Sequence, residues 1–148
     1  PDELESLASY DLDEPTRHAF TPLDDAALEP LAAAIGVSAD AAGASAPMTP
    51  FVVNTLGAMQ GGAVATLIAR AATEAATAET GEPTVCVDLA VNYLSLGKHG
   101  PIRAVPRVLR RGPGWFVVAV EVRDAGNDDR LMTVARAVAV LPADEGAP

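Results

Sequence analysis

Residues 52–72 read VVNTLGAMQGGAVATLIARAA, and three features of this stretch could do chemistry together. Asn54 offers an amide, and Gln60 stands before the glycine pair Gly61–Gly62, where an apolar helical pattern begins. A backbone N–H at a helix start, with the helix dipole behind it, stabilises charge developing on a carbonyl oxygen. Glycine allows close approach to that N–H, because no Cβ shields it. The chemistry indicated is the holding of a ligand's oxygen by a backbone N–H. A base is harder to find, since Ala69 and Arg70 further along the same helix supply none. Without one, water is a poor nucleophile at neutral pH.

Other side chains are candidates for that missing role. Glu74 lies five residues past Ala69, rotated about 140° around the helix, and is better placed to pair with Arg70 at i, i+4. Cys86 could attack a carbonyl, but no histidine lies near it in sequence, and a small strand residue is its commoner role. Asp88 shares the Cys86 face of a regularly alternating strand and is a better candidate base than Glu74. His18 and His99 sit in polar, loop-like segments. Asn54 has a competing use as a turn residue bonding nearby backbone groups. Gln60 keeps a donor and an acceptor but carries no proton at neutral pH.

The elements that must position these residues follow from periodicity. In the helix opened by the glycine pair, Val64, Leu67, Ile68, Ala71 and Ala75 form one apolar stripe, and Thr66, Arg70, Thr73 and Thr77 line another face. The pattern runs to about Ala78, and ETGEP ends it. After Pro83 the period becomes two: TVCVDLAVNYL places Val85, Val87, Leu89, Val91 and Tyr93 on one face and Cys86, Asp88, Ala90 and Asn92 on the other. IRAVPRVLR, WFVVAVEVRD and RLMTVARAVAVL are three further strands, joined by the hairpin links RGPG and AGNDD into an antiparallel meander. Upstream, Thr21 caps an expected helix that Pro30 interrupts and Gly36 stops, and SADAAGASAP reads as a small-residue loop. One long apolar helix followed by strands calls for that helix laid across a single sheet, an α+β architecture.

Composition narrows the function classes. A chain of 148 residues, 49% apolar, can bury one core, and with aromatic content of 4% that core is mostly small and branched aliphatic. The longest apolar run, 61–69, is too short for a bilayer, and no signal peptide opens the chain, so a cytoplasmic protein is expected. The lone cysteine excludes an internal disulfide and argues against a zinc cluster. A net charge of −10 argues against nucleic-acid binding. That charge is unevenly spread. Residues 1–50 hold Asp2, Glu3, Glu5, Asp11, Asp13, Glu14, Asp24, Asp25, Glu29 and Asp40 against one base, Arg17. Residues 98–136 hold Lys98, Arg103, Arg107, Arg110, Arg111, Arg123, Arg130 and Arg136 against four acids.

With NTLGAMQGGAVATLIARAA, TVCVDLAVNYLS and VLRRGPGWFVVAVEVRD in place, residues 50–141 resemble the hotdog-fold acyl-CoA thioesterases, specifically the phenylacetate-degradation (PaaI-like) type. The family pattern is an Asn, then six positions later His-Gly-Gly, then an acidic residue on the helix, then V-D-L-x-V-x-Y-L. Asn54, Gly61, Gly62, Val87, Asp88, Leu89, Val91, Tyr93 and Leu94 match it, whereas Gln60 replaces the His and Ala69 the acid. The resemblance implies a hotdog fold with a long central helix wrapped by an antiparallel sheet. It further implies a homodimer or homotetramer with the acyl site between subunits, and an acyl-CoA ligand whose CoA belongs to the substrate, with no separate cofactor or metal. On that resemblance Gly61 is the oxyanion donor and Asn54 orients the reacting groups. Gln60, Gly62, Cys86 and Asp88 line the substrate site, and Arg110 and Arg111 face the CoA phosphates. The expected organisation is an acidic arm over 1–47, the hotdog domain over 48–141 and a tail over 142–148. Loss of the acid at Ala69 leaves three readings open: a thioesterase with an unidentified base, an acyl-CoA binder without hydrolysis, and a structural partner using the fold to dimerise.

Overall fold

The computed structural model describes residues 31–142. Residues 1–30 of the expected acidic arm, with His18, most of the helix capped by Thr21, and Pro30, lie outside these residues. The described part begins with helix α1, Leu31–Ala34. Gly36, at φ 74°, ends it: its N–H bonds the Ala33 carbonyl at 2.9 Å and the Val37 N–H bonds that of Ala32 at 2.8 Å, the paired closure of a left-handed glycine stop. Strands β1 (Ser38–Asp40) and β2 (Gly43–Ala46) follow, then helix α2 (Gly61–Thr80). The chain continues as β3 (Val85–Tyr93), β4 (Ile102–Gly112), β5 (Trp115–Asp124) and β6 (Arg130–Val140).

Helix α2 begins at the glycine pair, as expected, and stops at Gly81, φ 76°, whose N–H bonds the Thr77 carbonyl. All five stripe residues are buried, joined by Ala63, Ala72 and Ala76. So many alanines let the helix backbone settle close onto the sheet. Across from it stand Ile102, Ala104, Phe116, Val118, Val120, Val122, Ala137 and Ala139, all at most 1% exposed. The six strands form one antiparallel sheet in the order β1-β2-β4-β5-β6-β3, with α2 across one face. This is the α+β hotdog arrangement that the resemblance implied.

Three local expectations are corrected. SADAAGASAP is a hairpin rather than a loop: Asp40 accepts the Ala42 N–H at 2.8 Å to close the turn, and Ala44, Ser45 and Ala46 pair with Ala104, Arg103 and Ile102. Pairing with β4 overrides weak strand propensity here, and small side chains permit it; a Cβ on Gly43 would meet the Ala104 carbonyl. The meander holds for β4-β5-β6, but β3 leaves its sequence neighbour β4 and pairs with β6 at the opposite side of the sheet. The alternation of β3 also breaks. A bulge between Cys86 and Asp88 leaves Val87 unpaired, so Cys86 opposes buried Ala139 while Asp88 opposes Val138. Cys86 therefore faces α2 together with Leu89, Val91 and Tyr93, and Asp88 faces the outer side with Ala90 and Asn92.

The segment between β3 and β4 is anchored by a residue the sequence reading passed over. Asp124, 1% exposed, accepts N–H bonds from Lys98 (2.8 Å), His99 (3.1 Å) and Gly100 (2.7 Å). Burial pushes its carboxyl upward, but the three backbone donors outweigh that and hold its pKa below the ordinary value. The unfolded state then binds the proton more tightly, so this stabilisation is complete above the ordinary carboxylate pKa. It is lost as pH falls through the lowered folded value. Asp124→Asn turns an NH₂ group against a backbone N–H and is expected to cost about 1–3 kcal/mol at pH 7. In urea unfolding the gap between variant and wild type should close as pH falls below the ordinary carboxylate range. An Asn variant as stable as wild type at pH 7 would refute the anchoring role.

Candidate functional site

A cavity of about 400 Å³ opens at the N-terminus of α2, lined by Asn54, Gly61, Tyr93 and apolar side chains that include Met59, Val64 and Met132. Leu94–Gly97 form another wall, and this is the segment that Asp124 holds from its far end. The Met59 N–H bonds the Gly97 carbonyl at 2.9 Å, which ties the two walls together.

Asn54 shapes the loop before the helix. Its Oδ1 accepts the N–H groups of Leu56 (2.9 Å) and Ala58 (3.2 Å), and its own N–H bonds the Ala58 carbonyl at 2.8 Å. The turn role is therefore real. Those two donors also fix which amide atom is oxygen, leaving Nδ2 as a donor without a protein acceptor among the described residues. Gln60 takes the cap position in extended conformation, with its N–H on the Val52 carbonyl and its side chain on that of Phe51 at 3.4 Å. No side chain caps the helix, so the N–H groups of Gly61, Gly62 and Ala63 have no acceptor among the described residues. Of these three residues Gly61 lines the cavity, so a carbonyl oxygen or an anion can be accepted at its N–H over an apolar floor.

Tyr93 is the residue that sequence reasoning saw without assigning a role. Its hydroxyl donates to the Gly61 carbonyl at 3.0 Å, and a Cβ on Gly61 would stand 3.1 Å from that oxygen. Gly61 is thus needed for the approach of Tyr93 as well as for any ligand. Gly62 is not crowded; the nearest atom to its Cβ position is Gln60 Oε1 at 4.0 Å.

Ala69 belongs to a different cavity. About 300 Å³ in volume, it is lined by Ala32, Thr66, Ala69, Arg70, Thr73, Thr84, Val85 and Cys86, with no carboxylate among them. Eight residues of helix separate Gly61 from Ala69, a rise of about 12 Å. Within one chain Gly61 and Ala69 do not meet. Cys86 lines this second cavity, half-buried, with Sγ 3.5 Å from the Asp88 carbonyl. Burial pushes its thiol pKa up, which the backbone contact partly offsets and the Asp88 charge reinforces, so the unreactive thiol form is favoured.

The remaining candidates disperse. Glu74 pairs with Arg70 at 2.7 Å, as its spacing required. Asp88 lines neither cavity and faces the outer side of the sheet with Ala90 and Asn92. His99 is exposed in the loop over Asp124, and His18 lies outside the described residues. As consecutive strand residues Arg110 and Arg111 point to opposite faces, and a second bulge, between Val108 and Arg110, sets Arg110 outward and Arg111 inward. Arg111 bonds the Glu79 carbonyl at 3.4 Å and lies over the Phe116 ring, beside a cavity of about 460 Å³ at the far end of α2. That is eighteen residues, or about 27 Å of helix, from Gly61. Arg110 opposes Val117 on the outer face.

The model of the family described as the thioesterase superfamily matches residues 56–130, just over half of the chain. No protein of curated function matches. Among solved structures, a Bacillus halodurans protein crystallised with CoA is similar at 23% identity over 74% of each chain, with a TM-score of 0.65. The E. coli PaaI protein from the phenylacetic acid degradation operon matches at 18% identity over 76% of this chain and 84% of its own, TM-score 0.66. A conserved protein of Pseudomonas aeruginosa matches at 25% identity over 76% of this chain and 94% of its own, TM-score 0.67.

Proposed function

The chain belongs to the thioesterase superfamily, and from that premise we propose that it binds acyl-CoA thioesters at the N-terminus of α2 and hydrolyses them slowly. The uncapped N–H of Gly61, at the helix start on an apolar cavity that Asn54 also lines, is the observation that carries this reading. The thioester carbonyl oxygen would accept from Gly61, with the acyl chain over Met59, Val64 and Met132. Asn54 would orient the reacting groups. A Bacillus halodurans structure of the same fold holds CoA, which supports the ligand class. A second reading, acyl-CoA binding without hydrolysis, is favoured by the Ala69 cavity, where no carboxylate stands to activate water. A panel of acyl-CoA thioesters assayed for released thiol, alongside equilibrium binding, separates the two readings. Release with measurable turnover supports the first, and binding without release the second.

The separation of Gly61 from Ala69 gives the proposed homodimer a chemical purpose, since a partner's helix could bring the two positions together. Strand β3 supplies an edge for it: nine residues paired on one side only, with Val85 and Val87 51% and 59% exposed. Sedimentation at micromolar concentration is expected to give twice the chain mass or a higher even multiple. A monomer throughout would remove the shared site.

A further inference from the structure

The face of the sheet away from α2 is strongly basic and only partly apolar. Arg103 and Arg107 project from β4 on either side of Val105, alternating with buried Ala104. Arg136 lies in the Arg107 row, two strands over with Ala119 between them, about 10 Å away. Arg110 opens the next row, opposite Val117. These four guanidinium groups are exposed and form no ion pair among the described residues. The carboxylates on this face do not balance them: Glu121 is held by Arg123 at 2.7 Å, Asp40 beside Arg103 accepts the Ala42 N–H, and Asp88 stands on edge strand β3. Two hollows flank Val105, of about 250 Å³ beside Arg103 and about 210 Å³ beside Arg107. Val105 and Leu109 are 39% and 47% exposed. The surface is an apolar floor ringed by positive charge.

We infer that residues 1–30 of the same chain dock on this outer face. Their chemistry is its complement: nine carboxylates against Arg17, with Leu4, Leu7, Tyr10 and Leu12 interleaved among the acids of the first fourteen residues. Thirty residues reach about 100 Å when extended, far more than the path around a sheet edge from Leu31 requires. Tethering raises their effective concentration at this face to the millimolar range, so individually weak guanidinium–carboxylate contacts add up. A free polyanion is the weaker competitor, because the whole chain carries −10 and repels it.

The test uses the full chain with Cys86→Ser and a spin label at Ser6→Cys. At about 50 mM salt, backbone amide signals of Val105, Ala119 and Arg136 should broaden while those of Ala71 and Ala75 on α2 stay sharp. The broadening should vanish at about 1 M salt, where the screening length is about 3 Å. It should also vanish in the Arg103→Glu, Arg107→Glu, Arg136→Glu triple variant; if that variant unfolds, the salt series decides alone. Absence of broadening, or broadening confined to α2, overturns the inference. So does broadening seen only when isotope-labelled chains are mixed with separate spin-labelled ones, which would assign the face to a second copy. A check on the unaltered protein is cleavage after Glu5 and Glu14 by a glutamate-specific protease, relative to a free peptide of residues 1–30. Protection of about tenfold at low salt, lost at high salt, is expected. Equal rates would overturn docking.

Discussion

Gly61→Val is expected to abolish acyl-CoA turnover, by roughly 10²–10³ in kcat, while the protein stays folded. Removal of one oxyanion donor typically costs about 2.7–4 kcal/mol of transition-state stabilisation. A valine here does more than hide an N–H. Its Cβ would stand 3.1 Å from Tyr93 Oη and 3.4 Å from Cζ, and its methyl groups would enter the cavity that the ligand needs. Tyr93 is 55% exposed and can swing aside, and Gly61 does not use a left-handed backbone angle, so the helix itself should form. Gly62→Ala is the matched control. With nothing nearer than 4.0 Å to its Cβ, it should keep most of the activity and affinity. A folded Gly61→Val protein with wild-type affinity and turnover would reduce the glycine pair to a tight helix entry for Tyr93.

How much of this was legible before the coordinates depended on the range of the interaction. The limits of α2 are set by local chemistry, a glycine pair before the apolar stripe and Gly81 after it, and both stood where the residues placed them. The β4-β5-β6 order followed from links too short for anything but hairpins. What could not be read were decisions made by partners distant in sequence. Strand β3 carries no mark of its pairing with β6, and a hairpin of alanine and serine has little strand propensity until β4 supplies its bonds. One unpaired residue, Val87, moved Cys86 to the face opposite Asp88, and alternation counted along the chain has no means of detecting it. Asp124 looked like an ordinary acid at a strand end; its three N–H partners lie some 25 residues earlier. At the site, Asn54 and Gly61, paired in the sequence by their spacing, line one cavity. That Ala69 belongs to another cavity is a matter of helix rise, measurable once the helix was placed.

Ala69→Asp is expected to raise thioester hydrolysis well above wild type. General-base catalysis typically contributes roughly 10²–10⁴, so even an imperfectly placed carboxylate should give a measurable gain. The position is half-buried on a helix face with Thr66 and Thr73, where hydroxyls can solvate a charge, so the fold should tolerate it. Thermal melting of both proteins checks that before rates are compared. Asp88→Asn should leave the gain untouched, because Asp88 faces the other side of the sheet. Loss of activity in Asp88→Asn would return the base to that strand. The decisive experiment exploits the 12 Å of helix between Gly61 and Ala69. A chain carrying both Ala69→Asp and Gly61→Val has the carboxylate but a blocked donor, and the wild-type chain has the donor but no carboxylate. Each alone should be nearly inactive. Refolded together, they should recover activity if one subunit's residue 69 works beside the other's Gly61. A mixture no better than its parts, with Ala69→Asp alone active, would place the whole reaction within one chain. If Ala69→Asp adds nothing and acyl-CoA still binds tightly, the cavity is a binding site in which hydrolysis has no part.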